Sequence, residues 1–142
     1  MRALLDVNVL IALLDADHSL HGRATQWFAK QAKLGWASCP ITQNGCLRIM
    51  SHPGYPNALP VRAVSERLLE ACMSKYHAFW ADDISLMDAG NFDCTRIHGP
   101  KQITDLYLLG LAVEHGGQLV TFDTAIALNA VKQAEKKHLL IL

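Results

Sequence analysis

Apolar positions change their spacing several times along the chain, and each change marks an element. Arg2–Leu5 is a short run that ends on an acid, Asp6, and reads as a strand. Val7–Leu14 is apolar at nearly every position, which predicts a helix buried on most sides. Asp15-Ala16-Asp17-His18 breaks the pattern, and Ser19 is placed to cap a second helix with Leu20, Ala24, Trp27, Phe28 and Ala32 at spacings of three and four. Gly35 closes that helix. Trp36–Cys39 predicts a second strand, and Pro40 suits the first turn of a third helix carrying Ile41, Leu47, Ile49 and Met50 as far as His52-Pro53-Gly54. Pro53–Pro60 is a proline-rich loop too short to be a linker between separate domains, and helical spacing returns over Val61–Ser74.

The second half repeats the scheme. His77–Trp80 predicts a short strand. Asp82–Ile97 is irregular, with Ser85 and Asp88 as possible caps, and Gly99-Pro100 punctuates it. Thr104–His115 is a strongly apolar helix stopped by Gly116-Gly117. Gln118–Phe122 is a strand with Asp123 at its carboxyl end, Ala125–Lys137 a polar-faced helix or turn, and Leu139–Leu142 a terminal strand. Strands alternating with helices imply an α/β fold: a central, mostly parallel sheet of about five strands flanked by helices in three layers.

At 142 residues the chain suits a single domain over 1–142. A 51% hydrophobic and 18% charged composition excludes a disordered chain. No apolar run approaches the roughly 20 residues that span a bilayer, and the acid at Asp6 comes too early for a secretory leader. The expectation is a soluble, cytoplasmic protein with no membrane partner. Lys plus Arg equals Asp plus Glu, so the formal net charge is zero. That argues against a nucleic-acid coat protein, yet leaves room for an enzyme that holds RNA locally. Cys39, Cys46, Cys72 and Cys94 form no C-x-x-C pair and read as small buried hydrophobes rather than a disulfide or zinc set. The seven histidines are scattered without H-E-x-x-H spacing, which speaks against zinc, and no glycine-rich phosphate loop occurs.

In an open α/β sheet the functional crevice lies beyond the carboxyl ends of the strands. Asp6 and Asp123 each follow a strand, and Asp105 starts the helix that leads into the second of these strands. Each alone could be an ordinary helix cap. Together at one end of a sheet they would repel one another unless a cation neutralised them, and oxygen-only clusters suit Mg²⁺ or Mn²⁺. Thr104 and Thr121 stand where they could hydrogen-bond these carboxylates, although Thr104 could equally be an N-cap. Asn8 could fix Asp6 or donate to substrate. Arg48 could contact phosphate, or pair with Asp82 or Asp83.

The run Leu4-Leu5-Asp6-Val7-Asn8-Val9-Leu10 resembles the opening signature of PIN domains. Ile103-Thr104-Asp105-Leu106-Tyr107-Leu108-Leu109-Gly110-Leu111-Ala112 is similar to the family's Thr-Asp helix, and Gln118-Leu119-Val120-Thr121-Phe122-Asp123 to its last catalytic strand. Cys39-Pro40-Ile41-Thr42-Gln43-Asn44-Gly45-Cys46-Leu47-Arg48-Ile49, followed by His52-Pro53, resembles the second motif of the VapC toxin subgroup. The resemblance spans essentially the whole chain. It implies a PIN-like fold and hydrolysis of RNA phosphodiesters with Mg²⁺ or Mn²⁺ held by Asp6, Asp105 and Asp123. It also implies a homodimer and a cognate antitoxin protein. One departure stands out: the family's second motif usually carries a glutamate where this chain has Gln43, which could place water or metal but adds no charge. Two other readings are a phosphatase of the haloacid-dehalogenase type, opposed by Asn8 in place of its second acid, and a weakly catalytic PIN-like module that binds RNA or antitoxin. A cluster of aromatic residues (Trp27, Phe28, Trp36, Phe79 and Trp80) is a further expected interface.

Overall fold

Ala3, Leu4 and Leu5 have no solvent exposure, which is the condition of a central strand covered on both faces. In the computed structural model, which describes residues 1–142, they form β1 (Ala3–Leu5) at the middle of a five-stranded sheet. Its other strands are β2 (Trp36–Ser38), β3 (His77–Phe79), β4 (Gln118–Thr121) and β5 (Leu139–Ile141). The order is β3-β2-β1-β4-β5 and every pairing is parallel, with Leu4 opposite Ala37 on one side and Leu119 on the other.

Alternation along the strands divides the core in two. Leu5, Trp36 and Val120 face α1 (Val7–Leu14), α2 (His21–Gln31), α3 (Pro40–Met50) and α4 (Val61–Cys72), packing with Val9, Leu10, Cys46, Met50, Val64 and Leu68. Leu4, Ala37 and Leu119 face α5 (Ile103–Glu114), whose Leu106, Leu108, Leu109 and Leu111 are almost wholly buried. The result is three layers, as expected for a PIN-like α/β fold. Two glycines permit the close packing. A Cβ on Gly45 would come within 2.7 Å of Val7, so α3 lies hard against α1. A Cβ on Gly110 would come within 2.3 Å of the Phe92 ring, which is seated on the back of α5. At the amino-terminal end of the sheet, the Arg2 guanidinium donates to the carbonyls of Trp36 and Tyr76 at 3.0 and 2.7 Å.

Several sequence expectations are corrected. Ser19 does not cap α2; Leu20 precedes it without a side-chain cap, and His21 Nδ1 instead meets the Ala12 carbonyl at 2.7 Å. Of the helix or turn expected over Ala125–Lys137 the turn is what forms, with 3-10 turns at Leu128–Ala130 and Lys136–His138 and no α-helix. Ala127, Ala130, Val131 and Ala134 have helical spacing, but the segment pairs instead with the irregular stretch before it through a Phe92–Val131 bridge. The aromatics are mostly core: Trp36 and Trp80 are buried, Trp27 and Phe28 pack against the α1–α4 core, and only Phe79 is exposed, at 57%. Of the cysteines, which are all unpaired, Cys39 and Cys46 are buried as expected, whereas Cys72 is half-buried and Cys94 exposed. No helix is long and apolar enough to cross a membrane.

Candidate active site

The strand order sets where a site can form. The chain builds β1, β2 and β3 outward in one direction, then returns through α5 to lay β4 on the other side of β1. The sheet's topological switch point therefore lies between β1 and β4, and crevices form there at the carboxyl ends. Asp6 leaves β1 at that point as the N-cap of α1, and Asp123 follows β4 by two residues. Asp105 is in the first turn of α5, which runs antiparallel to β4 and so brings its amino end to the same place.

Hydrogen bonds fix the carboxylates. Asp6 Oδ1 accepts from the Val7 amide at 2.7 Å, and Asp6 Oδ2 accepts from the buried Thr121 hydroxyl at 2.6 Å. The same Thr121 oxygen accepts from the Asp123 amide at 3.0 Å, so one hydroxyl ties both acidic segments together. Asp123 Oδ1 accepts from the Ala125 amide at 2.8 Å. Burial raises the Asp6 carboxyl above its ordinary value; the Thr121 and Val7 bonds oppose this, and the charge of Asp123 adds to the rise. Asp105 is pushed up to about 7, first by burial, then by the charge of Asp6 and by a hydrogen bond and charge shared with Asp123. The three aspartates are thus close enough to act on one another's protons.

They do not close around a single point: no three His, Cys, Asp or Glu side chains form a cage. The donor set nevertheless fits a hard divalent cation. All the donors are carboxylate oxygens held at one end of the sheet, and Mg²⁺ keeps several waters while taking one or two carboxylates. Clustered carboxylates that retain a proton near neutrality lack a positive partner, which such an ion would supply.

The other expected residues fall less neatly. Thr121 is at the centre. Asn8 and Thr104 are exposed on the first turns of α1 and α5, and the bonds to Asp6 come from Val7 and Thr121 rather than from Asn8. Thr104 is not an N-cap; Gln102 precedes the helix. Arg48 is exposed on α3 beside His52 and Tyr55, and the expected pair with Asp82 or Asp83 is not formed, since Asp83 meets His115 Nε2 at 3.2 Å. Gln43 donates through Nε2 to Ser38 Oγ at 3.0 Å, and Ser38 Oγ is 2.8 Å from His77 Nε2. Its side chain is therefore tied to a polar network on the α3–α4 side of the sheet, and no hydrogen bond joins it to the aspartates. Ser38 and His77 escape a reading of the sequence because neither sits in a recognisable spacing; only the parallel pairing of β2 with β3 makes them neighbours.

Comparisons with known proteins agree with this architecture. A PIN domain profile matches residues 3–132. Ribonuclease VapC44 of Mycobacterium tuberculosis strain H37Rv is 53% identical over 98% of both chains. Ribonuclease VapC39 of the same strain is 41% identical over 89% of this chain and 92% of its own length. The crystal structure of Mycobacterium tuberculosis VapC20, described as a Sarcin-Ricin loop cleaving toxin, superposes with a TM-score of 0.64 over 93% of this chain and 98% of that one. At 12% identity it speaks for the fold alone. The chain belongs to the PIN-domain family, among its VapC-type members.

Proposed function

We propose that this protein is a divalent-metal-dependent ribonuclease acting as the toxin of a toxin–antitoxin pair. The observation that carries this reading is the convergence of Asp6, Asp105 and Asp123 at the switch point, close enough to lift the Asp105 carboxyl to about 7. The near full-length similarity to proteins named as ribonucleases points to RNA as substrate. Asp6, Asp105 and Asp123 would hold Mg²⁺ or Mn²⁺, which when bound would lower the pKa of a water and offset charge building on the phosphate. Thr121 locks Asp6 and the start of the Asp123 turn, so the carboxylates are oriented before substrate arrives. Without a cation the Asp105 carboxyl titrates near 7, and the proton it carries has to leave for it to serve as a ligand. Asn8 and Thr104, exposed on the first turns of α1 and α5, would meet substrate.

The expected setting is the cytoplasm, as a homodimer with a cognate antitoxin. Support for a partner surface comes from α4, which leaves Val61 and Leu69 more than half exposed, as is Met73 just past its end. Sedimentation of the purified protein at micromolar concentration tests the dimer. Incubation with RNA and Mg²⁺ or Mn²⁺, with and without chelator, tests the enzyme. Cleavage should depend on metal, and Asp6→Asn should lower it by orders of magnitude while its melting curve stays cooperative. Chelator-resistant cleavage, or full activity in Asp6→Asn, would overturn the assignment.

A further inference from the structure

The formal charge of the chain is zero, yet one open groove of about 480 Å³ carries a cationic excess: Arg96 and Lys132 line it together with a single carboxylate, Asp93, and the amide of Asn129. Asp93 is already engaged. Its Oδ1 accepts from the amide and hydroxyl of Thr95, and its Oδ2 lies 3.2 Å from Arg96 Nε. The pair is made through Nε, the terminal guanidinium nitrogens make no hydrogen bond, and Arg96 keeps half its side chain in solvent. Lys132 makes no ion pair; the Asp93 carboxyl is held below the usual range by the Thr95 hydrogen bond first, with Arg96 and then Lys132 adding to it.

The groove is a built feature rather than two adjacent surface side chains. Its walls are the segments around Asp93 and Val131, joined by the Phe92–Val131 bridge and by backbone bonds from Asp93 to Ala130 and from Lys132 to Asn91, each 2.9 Å. Phe92 anchors the pair of segments on Gly110 of α5. Gly110 is five residues along that helix from Asp105, a rise of about 7.5 Å. The first wall leads along the chain into Asp105, and the second comes from Asp123. The groove is therefore built by the two chain segments that lead to Asp105 and from Asp123.

We propose that Arg96 and Lys132 hold a backbone phosphate of the RNA other than the one that is cleaved. The inference rests on the ribonuclease reading and adds a subsite to it. A planar guanidinium fork and an ammonium beside a neutral amide match phosphate oxygens without reading a base. This subsite would hold the strand in place and leave sequence choice to other contacts.

The test uses the full chain carrying Asp6→Asn, so that RNA is bound and not consumed. Binding of a fluorescein-labelled single-stranded RNA of mixed sequence is followed by anisotropy across a salt series. In the same background, Arg96→Gln with Lys132→Gln should flatten the log Kd against log salt line by about 0.7 for each phosphate no longer neutralised, roughly a fivefold weakening at 0.1 M salt. The charge-keeping pair Arg96→Lys with Lys132→Arg should retain the parent slope. In the active chain, the glutamine pair should raise KM and leave kcat near the parent value. RNA binding with an unchanged slope in the glutamine pair would overturn the subsite while leaving the ribonuclease reading intact, and would point to an acidic protein segment as the groove's occupant. No RNA binding by the Asp6→Asn chain itself would remove the ribonuclease reading and the subsite with it.

Discussion

In the metal-free protein, Asp105→Asn should stabilise the fold, and by an amount that grows with pH. The folded carboxyl titrates near 7 against an ordinary 3.8 because burial, the Asp6 charge and Asp123 all disfavour its ionised form. A raised carboxyl contributes stability that is fully present below about 3.8 and is lost as pH climbs through about 7. At 1.36 kcal/mol per pH unit the rise corresponds to roughly 4 kcal/mol. Asp105 is partly open to water, and solvent screening reduces this to on the order of 1–2 kcal/mol. Asparagine has the same shape and no charge, and its amide can still donate to Asp123, so the variant escapes the loss. With an unfolding entropy of about 300 cal/mol/K for a chain of this length, the gain is a Tm higher by about 3–7 °C at pH 8. It should shrink to almost nothing near pH 4. Calorimetric melts of parent and variant in chelator, at several pH values, measure the difference directly. A gain of the same size at pH 4 and pH 8, or a loss at pH 8, would refute the argument that the three aspartates repel one another.

Other expectations follow from single contacts. Thr121→Val removes the hydroxyl that bridges Asp6 and the Asp123 amide; it should cost about 1–3 kcal/mol in urea unfolding and reduce metal-dependent cleavage more than it reduces Tm. Gly110→Ala drives a methyl into the Phe92 ring and should cost about 1–3 kcal/mol, read from the urea midpoint, unless Phe92 lifts off α5. Gln43→Glu should give the same metal-induced Tm shift as the parent, because Ser38 holds this side chain in its own network; a larger shift would show that residue 43 reaches the cation after all.

The layers and the acidic end of the sheet are legible in the sequence because they rest on short-range patterns. Alternating strands and helices imply the three layers, and Asp6, Asp105 and Asp123 stand at element ends that parallel topology brings to one edge. What stays hidden depends on pairing across the sequence. The Ser38–His77 contact exists only through the register of β2 with β3, so nothing in the local sequence announces where Gln43 is held. The stretch after Asp123 reads as a helix or a turn, and it is the long-range bridge of Val131 to Phe92 that accompanies the turn. Trp80 reads as a candidate for the surface; Gly117, where a Cβ would come within 2.6 Å of its ring, leaves the space that buries it.

If the three aspartates form one cation site, titration calorimetry of Mn²⁺ at pH 6 and pH 8 should detect the proton on Asp105. At pH 6 Asp105 is largely protonated, so binding should be weaker and should release a proton, seen as a heat that varies with the ionisation enthalpy of the buffer. At pH 8 binding should be tighter with little proton release, and Asp6→Asn should weaken it at both. Equal affinity at the two pH values with no proton release, or parent-like binding by Asp6→Asn, would contradict the account.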